Sequence, residues 1–496
     1  MAFETAERIP EQGISPDPSR DPAPPWARAD TLIITALLLV AGISHFAWIG
    51  VPGSMVYDER VYVDNAFRYL HREFYFDIHP PLAVILMALS IRVFGCSPWS
   101  WRLPSAVIGT ALVPITYLLG RRMFRSRLAG AIAAFLILSD GMFLVYSRLG
   151  LINIAYITFG AGAFLLMFRF IDRRELAERR WLMVAIGVLL GLSLGSKFAI
   201  PGITWLLTVT FLIVALITET RGEQSRFPNQ SLITRASATV LLVGAISAIF
   251  YLGVFLPHFW FGWWRGIGGL LNHYRTTIWY NGTLGDPNSV GRSSWWTWPL
   301  MQHPYEMYNE AASNDDELRQ VVWSGGNPAI WWSALIAFAL AAWHSYRRDG
   351  LAWDFVTAGY LGYTAMWVPV HRVLYIYSYM PALFVALLAL AGLLDLAWRG
   401  KLHLLEEIGL LIPNFAVSWF GLGPLLGGGA SVLLAGCYAY TRRRQGWGGR
   451  LVFITSIATI VIVFAYFLPI WVATPVSMDD FVDRMWLGHG RFFQWE

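Results

Sequence analysis

Between its first and second long apolar segments the chain carries YDERVYVDNAFRYLHREFYFDIHPPL, residues 57–82, which gathers carboxylates, arginines and histidines in a sequence otherwise sparing with charge. Asp58, Glu59, Asp77 and His79 are residue types that can exchange protons, and His79 is followed by two prolines. Proline disfavours the α region for the residue before it, so His79 is expected on extended backbone, its ring aimed by a stiff chain. Asp58 and Glu59 are adjacent, and on a helix adjacent side chains diverge by roughly 100°. They cannot form a same-face carboxylate dyad of the glycosidase kind. Each must act separately, one towards a substrate and one towards a partner such as Arg102. Plainer readings stand beside these. Asp58 also suits the N-cap or first turn of a short helix, and Pro80-Pro81 suits the opening of a helix over 82–95.

A second set is basic. Arg102, Arg148, Lys197 and Arg372 fall at the ends of apolar segments on the same side as residues 52–81. Each can meet a phosphate directly, or can snorkel to a membrane surface, since charge inside a membrane is expensive. Tyr375 and Tyr379 follow Arg372 at helical spacing, where they line the same pocket or belong to an interfacial belt.

The elements that position these residues are membrane spans. The 496 residues are 56% hydrophobic and 14% charged, with a mean hydropathy of +0.49, far from the composition of a soluble globular protein. A helical span needs about 20 mostly apolar residues. Such segments lie near 31–51, 103–120, 128–146, 150–168, 181–196, 199–217, 236–256, 329–343, 352–369, 373–397 and 451–472. Residues 402–440 read either as a hairpin of two short spans or as an interfacial segment, so an all-α polytopic bundle of about 11–13 transmembrane helices is expected. Barrel strands alternate in polarity and do not run apolar for this long. The opening residues 1–30 are polar and proline-rich without the order of a cleaved signal, and are expected to be a disordered cytoplasmic tail.

The clusters RRMFRSR (121–127), RFIDRRELAERR (169–180), HSYRRDG (344–350), WRGK (398–401) and TRRRQGWGGR (441–450) all fall on one side if the spans alternate. By the positive-inside rule that side is the cytoplasm. These clusters account for the net charge of +5 as orientation information; no nucleic-acid partner is expected and the arginines are given no chemical role. The opposite side collects residues 52–81, a long segment 257–328 and a C-terminal segment 473–496. Residues 257–328, with HFWFGWWRG and RSSWWTWPLMQHPYEMY, suit either membrane anchoring or an aromatic platform for sugar or lipid. Cys96 and Cys437 indicate neither a disulfide framework nor a thiolate metal site. The Asp/Glu/His set has no recognised metal spacing, so neither metal nor cofactor is expected.

The first excursion resembles the first external loop of the protein O-mannosyltransferase family, with its Asp-Glu pair and, about twenty residues later, Asp-x-His-Pro-Pro, a match of pattern. WRLPSAVIG (101–109), SDGMFLVYSRLGLIN (139–153), GLSLGSKFAIP (191–201), SSWWTWPL (293–300), GGNPAIWW (325–332), HRVLYIYSYMPAL (371–383) and FLPIWVATPVSMDDFVDRMWL (467–487) fit the same family. The resemblance spans nearly the whole chain past residue 31. It implies a transmembrane glycosyltransferase domain over 31–472 of the GT-C architecture, in the short form without a lectin-like insert, using a polyprenyl-phosphate sugar. It further implies that Asp58 is the base that activates the acceptor hydroxyl, and that Glu59 and Asp77 organise the site with Arg102. Two positions depart from the pattern: Val84 stands where a lysine is common, and Asn153 where an acid is usual.

The chemistry agrees. No segment resembles a glycine-rich nucleotide-binding unit, and an outward-facing enzyme has no access to cytoplasmic nucleotide sugars. A lipid-linked donor meets both conditions. Its reaction needs cations at the leaving phosphate and a base at the acceptor. The leading expectation is transfer of a hexose, mannose above all, to Ser/Thr hydroxyls of exported proteins with inversion, by a multi-pass plasma-membrane protein whose site faces outward. Two rivals are a related transferase acting on a lipid or glycan, like the lipid A aminoarabinose transferases, and a sugar or lipid transporter. A transporter needs binding groups reachable from both faces, whereas the acidic motifs gather on one.

Overall fold

A computed structural model describes residues 24–173, 176–221, 232–283, 289, 291–312 and 315–487. Most of the expected tail, residues 1–23, and the last nine residues of the C-terminal segment lie outside the described residues. Of the described residues, 75% are helical. Helix α1 (Arg28–Phe46) leads into a hydrophilic excursion holding α2 (Glu59–His71) and α3 (Leu82–Phe94). Then come α4 (Pro98–Met123), α5 (Arg127–Leu138), α6 (Gly141–Arg148), α7 (Asn153–Asp172), α8 (Leu176–Leu194), α9 (Ile200–Arg221) and α10 (Leu232–Gly253). A second excursion carries α11 (Leu256–Trp260), α12 (Gly266–Thr283) and the strands β1 (Glu306–Ala312) and β2 (Asp315–Trp323). The bundle closes with α13 (Pro328–Tyr346), α14 (Leu351–Ala365), α15 (Met380–Trp398), α16 (Leu404–Gln445) and α17 (Gly448–Trp471). Two short elements follow, β3 (Val476–Ser477) and α18 (Met478–Val482).

Helices dominate because the sequence is apolar around the whole helix circumference, and in lipid each backbone group must be satisfied within its own segment. Eight described helices are long and apolar enough to cross a membrane, or nine if the α5–α6 pair, bent by 64°, counts as one span. With α8, α13, α14 and the two arms of α16, alternation reaches thirteen crossings. The span containing α15 is 94% buried and forms the axis, whereas α1 and α10 are 17% buried and face outward.

Two local devices shape the bundle. At the α5–α6 bend, the Asp140 carboxylate caps α6 by accepting from the amides of Met142 and Phe143. It also accepts from Trp331 Nε1 at 2.8 Å and the Asn327 amide at 3.0 Å. Gly141 and Gly326 flank this knot because a Cβ there would overlap the Trp471 and Trp331 rings. In α16, Gly423 leaves the helical region at φ +77°, a conformation glycine adopts without steric penalty. Residues thirty-one apart then touch, the Tyr438 hydroxyl donating to Glu407 at 2.6 Å, where a straight helix would hold them ~46 Å apart. Residues 402–440 are therefore a helical hairpin.

The basic clusters share one end of the bundle and are knitted by acids. Asp30 meets Arg121 and Arg127 at 2.7 and 3.0 Å, Glu219 meets Arg179 and Arg235, and Arg122 meets Asp172. At the other end the second excursion departs from the all-helical expectation. Its strands form an antiparallel sheet of order β1-β2-β3, in which the C-terminal segment returns to pair Val476 and Ser477 with Arg319 and Leu318.

Candidate active site

At the end opposite the basic clusters, a cleft of about 990 Å³ is lined by residues from five stretches of chain, among them Asp58, Asp77, His79, Lys197 and Arg372. Its position rests on a keystone beneath it. Glu59 and Arg102 pair through two hydrogen bonds of 2.8 Å, with both side chains at zero exposure. Glu59 also accepts from the Val56 and Gly150 amides. Arg102 donates its remaining N–H groups to the carbonyls of Ile49, Pro52 and Ser54. Guanidinium has five N–H donors, and all five are spent. Tyr57 then turns the chain in the left-handed region at φ +48°, a conformation costly for a bulky residue, and its ring packs on Tyr305 at 5.2 Å.

This anchoring decides what Asp58 does. It occupies the N-cap position of α2, yet its carboxylate makes no capping hydrogen bond and lines the cleft instead. Tyr62, one turn on, lines the same cleft. Asp77 accepts from Asn65 Nδ2 at 3.0 Å and from the His79 amide at 2.8 Å. His79 Nδ1 accepts weakly from the Phe198 amide at 3.4 Å, which leaves its proton on Nε2 facing outward from that bond.

Lys197 sits in the link between α8 and α9, donating to Asn153 Oδ1 at 2.6 Å and lying 4.7 Å from the centre of the Tyr377 ring. Arg372 lines the cleft with no hydrogen-bond or ion-pair partner among the described residues. Burial pushes both carboxylates up, Asp58 against the attraction of Lys197 and Asp77 against its two hydrogen bonds, each to about 6. Burial pulls the Lys197 ammonium down to about 7, opposed by Asp58 and Asp77. His79 is held well below the ordinary histidine range by burial and by the charges of Lys197 and Arg372. Arg372 is lowered by burial. Among the described residues no group of three His, Cys, Asp or Glu side chains is placed to hold a metal ion.

Several expectations need correction. Arg102 cannot contact a donor phosphate, because every donor it has is used internally. Arg148 is not among the cleft-lining residues and spends three of its five N–H donors on the carbonyls of Ser44, Ala47 and Trp48 at the end of α1. Glu59, by contrast, is sealed beneath the cleft and faces Arg102, the partner expected for one acid of the pair. Tyr375 lines the cleft, its hydroxyl 2.6 Å from Ser289, but Tyr379 is buried against Tyr360. The helical spacing fails because residues before Ile376 are extended and 376–379 form a 3-10 turn, which brings Tyr377 to the cleft in place of Tyr379. Tyr57, Tyr62 and the 280–283 end of α12 also line it. The first two were within reach of sequence reasoning, since Tyr57 adjoins Asp58 and Tyr62 follows it at i+4. The α12 contribution depends on how a long excursion folds back.

The aromatic segment divides between packing, lining and exposure. Trp263 and Trp264 pack with Tyr69, Tyr75, Phe255 and His258 into a small second core, Tyr280 faces the cleft, and Trp260, Trp279 and Trp296 are exposed.

A helical membrane bundle with an acidic loop and a cleft at one end is the architecture of its structural neighbours, membrane glycosyltransferases of the GT-C class. The fold is similar to the Saccharomyces cerevisiae protein O-mannosyltransferase Pmt1-Pmt2 complex bound to the sugar donor, with TM-score 0.73, 13% identity, and coverage of 95% of this chain and 94% of that one. It is also similar to ArnT from Cupriavidus metallidurans bound to undecaprenyl phosphate, with TM-score 0.55, 14% identity, and coverage of 89% and 77%.

Residues 33–101 and 95–261 match the family described as dolichyl-phosphate-mannose-protein mannosyltransferase, and residues 269–489 match the C-terminal four-transmembrane region of protein O-mannosyltransferase. The chain belongs to the protein O-mannosyltransferase family. Relatives include polyprenol-phosphate-mannose–protein mannosyltransferases of Mycolicibacterium smegmatis, 26% identical over 80% of this chain and 89% of that one, and of Corynebacterium glutamicum, 24% identical over 77% and 86%.

Proposed function

We propose that the protein transfers mannose from a polyprenyl phosphate to Ser/Thr hydroxyls of exported proteins, with inversion at the anomeric carbon. The observation that carries this reading is the convergence of Asp58, Asp77, Lys197 and Arg372 on one cleft in a chain of this family. Asp58 takes the proton of the acceptor hydroxyl as its oxygen bonds to the anomeric carbon. The bond from that carbon to the phosphate oxygen breaks, and its electron pair stays on the phosphate. Lys197 and Arg372 meet the charge developing there, inside a partly water-excluded site where fixed cations act most strongly. Asp77 and His79 position the loop and the sugar, and Tyr375 and Tyr377 wall the pocket.

Glu59 and Arg102 act through Asp58, fixing the turn that presents it. A carboxylate near 6 is ionised at neutral pH yet close enough to that pH to serve as a base. Residues 31–472 form the transferase unit, with 52–81 and 257–328 as external loops and 473–496 as an external C-terminal segment. The basic end of the bundle faces the cytoplasm by the positive-inside rule, so the cleft opens outside the plasma membrane. Purified protein incubated with polyprenyl-phosphate mannose and a Ser/Thr-rich peptide gives a peptide heavier by one hexose in mass spectrometry, with the linkage inverted. A peptide that stays unmodified while a lipid or glycan acceptor becomes labelled overturns the reading.

A further inference from the structure

Asp77 and His79 border a second space besides the cleft, a hollow of about 10 Å³ bounded also by Tyr75, His258 and His273. That is room for the centre of one water, provided two to four polar partners surround it. The polar partners are present and otherwise unused. His258 is 6% exposed, and neither ring nitrogen has a hydrogen-bond partner; the buried Tyr75 hydroxyl has none either. Buried polar groups are almost always bonded. Phe255, Trp263 and Trp264 box the His258 ring at centroid distances of 5.6, 5.0 and 4.7 Å, so the hollow is where its polar contact lies. His273, half-buried on α12, packs 5.1 Å from Trp264 and 5.7 Å from Phe76 and stands between the hollow and the surface.

We propose that this hollow holds one ordered water joining Asp77 to His258, and that His258 and His273 carry the proton released in each transfer from the acidic end of the cleft to the outside. The proposal rests on the reading of Asp58 as base. During transfer the cleft is filled by the donor's phosphate and the acceptor chain, so the proton on Asp58 needs another exit. Asp77 lines the same cleft as Asp58 and receives that proton. It passes it to the water, which hands its own proton to the facing nitrogen of His258; the second ring nitrogen gives up its proton to His273, which borders the same hollow and releases it to the outside. Neutral imidazole presents one acceptor and one donor nitrogen, so it relays a proton without keeping it. Burial and the like charge of His273 hold His258 down at about 4, and burial holds His273 at about 4, so neither ring traps the proton. Tyr69, Tyr75, Asp77, His79 and His273 are the titratable groups around His258.

The test uses the full-length protein with polyprenyl-phosphate mannose and a Ser/Thr peptide. His258→Ala lowers kcat on the order of tenfold or more while donor KM stays within about twofold. Added imidazole restores the rate, and restoration by a series of substituted imidazoles follows their basicity. A wild-type kcat in the variant, or rescue that is indifferent to basicity and matched by thiophene, shows that His258 merely fills space and overturns the relay. Should His258→Ala not fold, His258→Gln keeps polar atoms in a similar volume but cannot relay. It is expected to fold and to be slow, and a wild-type rate there overturns the proposal equally. Failure of the wild-type protein to label the peptide would overturn the functional reading itself, a result distinct from wild-type transfer undiminished by His258→Ala.

Discussion

Replacing Arg102 with Met separates two ideas about the arginine beside the catalytic loop, and the structure sets the size of the effect. Arg102→Met leaves Glu59, with no solvent contact, holding its charge on the amides of Val56 and Gly150 alone. The carbonyls of Ile49, Pro52 and Ser54 lose their donors as well. Breaking a buried ion pair by removing one partner costs about 3–5 kcal/mol. The variant should therefore show a strongly lowered unfolding midpoint in detergent, while the folded fraction binds donor with a KM within about twofold of wild type. Glu59→Leu should lower the midpoint too. The double variant Glu59→Leu/Arg102→Met should lose less than the sum, because no uncompensated charge remains. Thermal unfolding followed by intrinsic fluorescence, with donor titration on the same samples, reads both quantities. An Arg102→Met protein with a wild-type midpoint and weakened donor binding would refute the reasoning and return Arg102 to the phosphate.

Lys197→Met and Arg372→Met should do the opposite, keeping the midpoint near wild type and raising donor KM on the order of tenfold, as titration with polyprenyl-phosphate mannose would show. The pH profile of kcat/KM should be bell-shaped. Activity needs Asp58 ionised and so falls as pH drops through about 6, and it needs Lys197 protonated and so falls as pH rises through about 7, both limbs belonging to the coupled set. Asn153→Asp would place a carboxylate where the Lys197 ammonium already bonds at 2.6 Å and should move the alkaline limb upward by about one unit or more. Gly326→Ala, whose Cβ would overlap Trp331, should cost about 1–3 kcal/mol by overpacking, read as a lowered midpoint. In a cysteine-free background, Glu73→Cys should react with an impermeant maleimide on intact cells and Arg347→Cys should not.

The span pattern was legible because lipid leaves helices no alternative and each span announces itself by length. The hairpin at 404–445 was not decidable, since its break depends on one glycine conformation and on contacts between residues thirty-one apart. The sheet of β1, β2 and β3 was hidden for a related reason: β3 is two residues long and is supplied from the far end of the chain. In the site, Asp58, Asp77, His79, Lys197 and Arg372 were all visible as chemistry-bearing residues. What the sequence could not sort was which cations are free. Arg102, Arg148, Lys197 and Arg372 occupy similar places at span ends, and only three-dimensional counting of donors shows that Arg102 is fully consumed by carboxylate and carbonyls and that Arg148 spends three donors on carbonyls. The shift from Tyr379 to Tyr377 has the same origin, because a helical period was assumed where the chain is extended.

The role of Asp58 is tested most directly by Asp58→Asn, a change that keeps the shape of the side chain and removes its ability to take a proton. Single-turnover transfer from labelled polyprenyl-phosphate mannose to a Ser/Thr peptide should slow by on the order of 10²–10⁴-fold, with donor binding and unfolding midpoint unchanged. A variant that transfers at the wild-type rate would contradict the account.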